Sequence, residues 1–164
     1  YILDFMTSLY NRRGFYSKIK PRLESCVSLK YDLMVVSVDM DGLKTINDNH
    51  GHSEGDHAIK KLSSLLCQCA DDNTIVARFG GDEFVVAAVC PDGETTAKKF
   101  KTTLKRKLDA YNEISDKPYK ISASVGVSIT KPDENTNLDE LIELADSIMY
   151  RQKANRKKLR GTRN

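Results

Sequence analysis

The stretch ARFGGDEFVVA, residues 77–87, constrains the fold most. Two short apolar runs, 74–79 and 84–90, flank Gly80-Gly81-Asp82-Glu83. A Gly-Gly pair between two such runs predicts an antiparallel hairpin, because glycine alone takes positive φ without steric cost. The hairpin requires a sheet, and its turn sets two like charges side by side at the rim. Adjacent carboxylates repel unless a cation lies between them.

A second acidic pair supplies the partner. Residues 33–39, LMVVSVD, read as a buried strand running into the turn Met40-Asp41-Gly42. If that strand lies beside the hairpin, Asp39 faces Asp82. Carboxylates from two strand ends, with a backbone carbonyl nearby, form a hard oxygen site suited to Mg²⁺ and to phosphoryl transfer. A calcium loop starting at Asp39 is excluded, since its fifth, sixth and twelfth positions are Leu43, Lys44 and His50. Lys44, Asn47 and Asp56 follow closely and extend the candidate into an Mg-nucleotide site.

The rest of the chain supplies helices to cover the sheet. Phe15, Ile19 and Leu23 have helical spacing over 11–28, and Pro21 predicts a kink or break near Lys20. A short helix is expected at 43–49. A longer one follows, started by Ser53 and Asp56 and ending near Cys69. A helix at 94–111 carries Ala97, Phe100, Leu104 and Leu108 in register. An alternating strand is expected at 119–130, a loop at 132–137, and a last helix from Leu138 to about Lys158. The order implies an α+β sandwich, a mostly antiparallel sheet flanked by helices.

The 164 residues suit one domain, and no apolar run approaches the roughly 18 residues of a membrane span. YILDFM has neither a basic region nor a cleavage site, so it is not read as a signal peptide. It reads as the start of a domain from a longer protein, with any sensor or membrane part upstream. The four cysteines have no zinc spacing and read as reduced thiols of a cytosolic protein. The net charge of +3 is concentrated in residues 151–164, which hold seven Lys/Arg and no acid. Such a tail suits nucleic acid, membrane lipid, a phosphate-binding face or a solvated helix end, and does not by itself decide among them. Without interleaved aromatics or a reader motif, nucleic acid is the weakest partner.

Four blocks in order resemble the GGDEF domains, the diguanylate cyclases: DFMTSLYNRRGF at 4–15, VDMDGLKTINDNHGHSEGD at 38–56, RFGGDEF at 78–84 and ADSIMYRQK at 145–153. The resemblance implies a nucleotidyl-cyclase palm fold that condenses two GTP into cyclic di-GMP, releases two pyrophosphates and works as a homodimer. It implies Mg²⁺, or Mn²⁺, on the Asp39, Asp82 and Glu83 carboxylates and the Met40 carbonyl. Asp82 would also be the base, with Glu83 completing the metal site. Lys44 and the amides of Gly42 and Leu43 would hold phosphate, and Lys44 would stabilise the transition state. Asn47, Asp56 and His52 would contact the nucleoside. Lys153, and Lys157 in place of the family's arginine, would reach the β- and γ-phosphates. It also implies a cytoplasmic domain without membrane contact, under an upstream sensor or receiver domain.

Two other readings use the same fold: a non-catalytic GTP-binding module, and a cyclase making a mixed adenine–guanine product. The first typically loses the signature acids and the second needs Asp56 changed; all are intact. The departures are Met6 for leucine, Leu43 for phenylalanine, Lys157 for arginine, and a missing product-binding Arg-x-x-Asp. Its matching positions read Asp71-Asp72-Asn73-Thr74. Without that arginine, calorimetry should show no tight cyclic di-GMP binding at this turn.

Overall fold

The apolar run that begins at Leu33 becomes the central strand. In the computed structural model, which describes residues 1–161, β1 (Asp32–Met40) pairs antiparallel with both of its neighbours. The others are β2 (Thr74–Gly80), β3 (Glu83–Cys90) and β4 (Ala123–Thr130), in the order β2-β3-β1-β4. Both faces of β1 are covered, which explains its unbroken apolar character. Met34, Val36, Val38 and Met40 point into one core, while Leu33 and Val35 point into the other.

The first core is roofed by α3 (His52–Gln68) and α4 (Gly93–Ile114), through Leu62, Leu66, Phe100 and Leu104. The second takes Phe15, Ile19 and Cys26 from α1 (Arg12–Leu29) and Ala145 from α5 (Leu138–Gly161). A short α2 (Leu43–His50) joins β1 to α3. The result is the expected α+β sandwich, with a wholly antiparallel sheet between two helical layers.

Three local expectations are corrected. Of the kink or break expected near Lys20, the break is absent, and α1 runs as one helix through Pro21. Its lost N–H is outweighed by the burial of Phe15, Ile19 and Cys26, and Asn11 caps the helix start by accepting from the Gly14 N–H at 2.8 Å. Ser53 and Asp56 do not start α3. Gly51, at φ 91°, ends α2 and begins α3 at once, without a side-chain cap. The last strand begins at Ala123 rather than 119. Upstream, the Asn112 side chain takes both backbone groups of Ile121, donating to its oxygen at 2.8 Å and accepting from its N–H at 2.9 Å. That backbone is then unavailable to a strand neighbour.

Asp92 caps α4, one turn longer than its apolar pattern, and α5 continues to Gly161. The end of the basic tail, residues 162–164, lies outside the described residues. No described helix is long and apolar enough to cross a membrane. The four cysteines are unpaired thiols: Cys26 and Cys90 are buried, Cys69 half-buried and Cys67 exposed.

One glycine fixes how closely α5 lies on the sheet. A Cβ on Gly126 of β4 would stand 2.1 Å from the Ala145 carbonyl oxygen and 2.3 Å from the Met149 nitrogen. Backbone cannot yield as a side chain can. Gly126→Ala is expected to destabilise the fold by about 1–3 kcal/mol, read as a lowered denaturation midpoint. Gly161→Ala, with open space around it, should change little.

Candidate active site

The hairpin turn is the first part of the site. Gly80 (φ 144°) and Gly81 (φ 48°) carry the chain across, and the register shifts between Arg78 and Gly80. A side chain at either φ would be strained. The turn leaves Glu83 opposite Asp39 across the β1–β3 pair, and the Met40 N–H donates to the Asp82 carbonyl at 3.0 Å. The four acidic positions at these two strand ends are thereby gathered at one edge of the sheet. Asp39, Asp41 and Asp82 are half-buried and Glu83 is exposed.

Arg78 holds the turn in place. Its Nε and Nη2 donate to the Gly81 carbonyl at 3.1 and 2.9 Å, while Nη1 reaches both oxygens of Asp4 at 3.2 Å. Asp4 also accepts from the Thr7 N–H at 2.9 Å and the Thr7 hydroxyl at 2.7 Å. The opening segment continues along the sheet edge, where the Tyr10 carbonyl accepts from the Arg78 N–H at 2.9 Å. One guanidinium thus ties the chain's opening turn to the glycine turn.

The last helix supplies the cation. Lys153 Nζ lies 2.8 Å from Asp39 Oδ2 and 3.9 Å from Asp41 Oδ1. Burial raises the Asp39 carboxyl above its ordinary value; the bond from Lys153 opposes this and the Asp82 charge adds to it. Burial lowers the Lys153 ammonium, yet its acidic neighbours leave it raised overall. Asp41 is held by the Ser122 hydroxyl at 3.0 Å, the Ser124 hydroxyl at 2.5 Å and Arg156 at 3.8 Å. Arg156 also donates to Ser124.

A divalent cation can be tested against these donors. No three described His, Cys, Asp or Glu residues form a ready-made cluster. Asp39 Oδ1, however, is buried with no hydrogen-bond partner. A buried unpartnered carboxylate oxygen is costly, and the Asp82 carboxylate repels it. An oxygen-seeking cation would relieve both, so the donor chemistry fits Mg²⁺ or Mn²⁺.

Beside the acids opens a cleft of about 440 Å³, lined by Asp41, Gly42, Leu43, Lys44, Asp82 and Lys153, among others. Gly42 sits at φ 67° and ends the strand so that α2 begins at Leu43. Lys44 is 90% exposed and pairs with Asp48 at 2.7 Å. Lys157 lines the same cleft. Asn47, His52 and Asp56 lie together at the α2–α3 junction, outside this cleft's lining. The Asn47 side chain packs on Gly55, where an added Cβ would stand 1.8 Å from its oxygen. His52 and Asp56 are exposed. Nearby, Glu54 accepts from the Tyr119 hydroxyl and from Lys117 at 2.9 Å, anchoring the segment before β4.

A family model described as the GGDEF domain of diguanylate cyclases matches residues 1–159. The chain belongs to the GGDEF family. Over 150 residues it is 34% identical to diguanylate cyclase DgcM of Escherichia coli K12, covering 92% of this chain and 35% of that protein. Over 152 residues it is 34% identical to the cyclic di-GMP phosphodiesterase NbdA of Pseudomonas aeruginosa, covering 92% of this chain and 19% of that one. The crystal structure of a sensory box/GGDEF family protein from Caulobacter crescentus superposes with a TM-score of 0.82 at 27% identity, covering 94% of this chain and 99% of that one. This GGDEF domain therefore spans about a third or less of the curated relatives named.

Within the GGDEF domain, Asp39, Asp82 and Lys153 come together, while Glu83 is exposed and Asn47, His52 and Asp56 lie apart, at the α2–α3 junction. Sequence reading passed over Asp4 and Arg78 as positioning residues, although Asp-x-x-Thr at 4–7 signals a carboxylate-closed turn. It also missed Ser122 and Ser124, which carry no sequence signal. At the product-site positions, Asp71 Oδ1 accepts from the Asn73 N–H at 2.9 Å and the Thr74 hydroxyl at 2.8 Å, so this turn is closed on itself.

Burial raises the Asp4 carboxyl, but the bonds from Thr7 and Arg78 outweigh it and leave the group below its ordinary value. A depressed acid stabilises the fold above its unfolded value and loses that contribution as pH falls through the folded one. Asp4→Asn should therefore cost about 1–3 kcal/mol at pH 7. The difference from wild type should shrink as denaturation is followed down below the ordinary carboxylate range.

Proposed function

We propose that this GGDEF domain is a diguanylate cyclase, condensing two GTP into cyclic di-GMP and two pyrophosphates. The observation that carries the reading is the buried Asp39 carboxylate at the cleft edge. One of its oxygens is held by Lys153, the other has no partner, and Asp82 lies beside it. Such an arrangement suits a divalent cation and a triphosphate. Asp39, Asp82, Glu83 and the Met40 carbonyl would hold Mg²⁺ or Mn²⁺. When bound, the ion would neutralise phosphate charge and orient the triphosphate.

The protein's own groups then have distinct tasks. Gly42, Leu43 and Lys44 line the cleft, and the amides of the first two with the Lys44 ammonium would hold phosphate oxygens. Lys44 adds positive charge where the α-phosphate develops negative charge. Lys153 leaves Asp39 for the β- and γ-phosphates, joined by Lys157. Asn47 and Asp56 accept and donate along the guanine edge, whose N1–H and N2–H₂ adenine lacks, and His52 stands by the base or ribose. Asp82 takes the proton from the 3′-hydroxyl. The 3′-oxygen bonds to the α-phosphorus of the second GTP, the α–β anhydride breaks, and pyrophosphate leaves with the electron pair.

Because each 3′-hydroxyl attacks a nucleotide held by another copy, two domains must face each other as a homodimer. The relatives' greater length is in keeping with a longer protein, in which this chain would be the cytoplasmic catalytic unit under an upstream sensor or receiver domain. A second reading, a GTP-binding regulatory module, draws on Lys157 where the family carries arginine and on the likeness to a phosphodiesterase.

Concentrated domain incubated with GTP and Mg²⁺ should yield cyclic di-GMP by chromatography, and Asp82→Ala should yield none above background. GTP bound but unchanged at every protein concentration would select the regulatory module.

A further inference from the structure

We infer that Arg160, one turn beyond the expected phosphate lysines, is the guanidinium that anchors the terminal phosphate of the substrate. The inference rests on the cyclase reading and deepens it, because it assigns a substrate-binding residue outside the resemblance.

The first support is position. Lys153, Lys157 and Arg160 follow one another at intervals of four and three on α5, so they share a helix face. All three line the 440 Å³ cleft, together with Gly42, Leu43 and Lys44. At 1.5 Å rise per residue, Arg160 begins about 10 Å further along α5 than Lys153. Its helix position is thus displaced along the cleft lining from the lysine that holds Asp39.

The second support is what the cleft's other cations are doing. Lys153 is bound to Asp39, Lys44 to Asp48, and Arg156 to Asp41 and Ser124. Lys157 and Arg160 alone among the cleft's cations have no hydrogen-bond or ion-pair partner among the described residues. Of these two, only Arg160 carries a planar fork that can bind two oxygens of one phosphate. Lys157, where the family has arginine, offers a point charge. The guanidinium fork at Arg160 stands about one turn beyond Lys157 on the same helix.

The third support is charge. A nucleoside triphosphate brings its greatest negative charge at the γ-phosphate, which lies furthest from the guanine group at the α2–α3 junction. An uncommitted guanidinium at that end complements it, and it leaves Arg156 on Asp41.

The test is calorimetric titration with guanosine α,β-methylene triphosphate, whose α–β link cannot be cleaved, and with GDP. Both are run with Mg²⁺ on wild type, Arg160→Ala and Arg151→Ala. Arg151→Ala removes the same charge from an exposed position of α5 outside the cleft lining. Expected is about tenfold weaker triphosphate binding in Arg160→Ala, with GDP binding unchanged and Arg151→Ala close to wild type. Arg160→Lys should recover only part of the loss. If wild type binds the triphosphate and Arg160→Ala binds it as well, or loses no more than Arg151→Ala, the γ-phosphate anchor is overturned and the cyclase reading stands. An equal loss for GDP overturns the γ assignment too. Wild type that binds neither nucleotide overturns both.

Discussion

An acid at the end of a strand buried on both faces needs a cation, and the architecture follows from how that need is met. Asp39 stands where β1 leaves the core, and its side chain is only 15% exposed. The ammonium that answers it comes from α5, which the missing side chain of Gly126 allows to lie directly on β4. The pair therefore fixes the last helix against the central strand. The same ammonium is what a triphosphate would draw away. One contact serves the resting fold and, in the proposed reaction, the substrate.

The antiparallel register does the remaining assembly. With β1 between β3 and β4, the turns after β1 and before β3 fall at one edge, so two acidic pairs distant in sequence become neighbours. Arg78 then locks the glycine turn by bonding its carbonyl and the Asp4 carboxylate together. A flexible Gly-Gly turn would scatter Asp82 over many positions; a guanidinium spanning both walls restricts it without adding a side chain to the rim.

Much of this was legible beforehand, for physical reasons. The strands announced themselves because β1, β2 and β3 are apolar over the length that the sheet buries, and β4 alternates as its burial does. The hairpin was readable because only glycines tolerate its dihedral angles. The acids stood out because an aspartate closing an apolar strand has no inexpensive structural explanation. The failures have physical causes too. Pro21 predicts a break locally, and long-range burial of α1 overrides it. The start of β4 was misplaced because Asn112, nine residues away, takes Ile121's hydrogen bonds, and alternation of side chains does not reveal that. Ser122 and Ser124 could not be recognised because their role comes from facing Asp41 across 81 and 83 residues of chain.

The ion pair between Lys153 and Asp39 spans 114 residues. Its consequence concerns synthesis. While this domain emerges from the ribosome, β1 precedes its second partner, β4, by more than eighty residues, so the central strand waits half-paired through that interval. The acidic edge then carries repelling charges with no ammonium to quiet them. Loop-closure entropy makes such distant pairings slow to form. The nascent domain therefore passes through a long interval with an open sheet edge and an unneutralised acid. β4 closes the edge first, and the last helix then brings the ammonium to the acid.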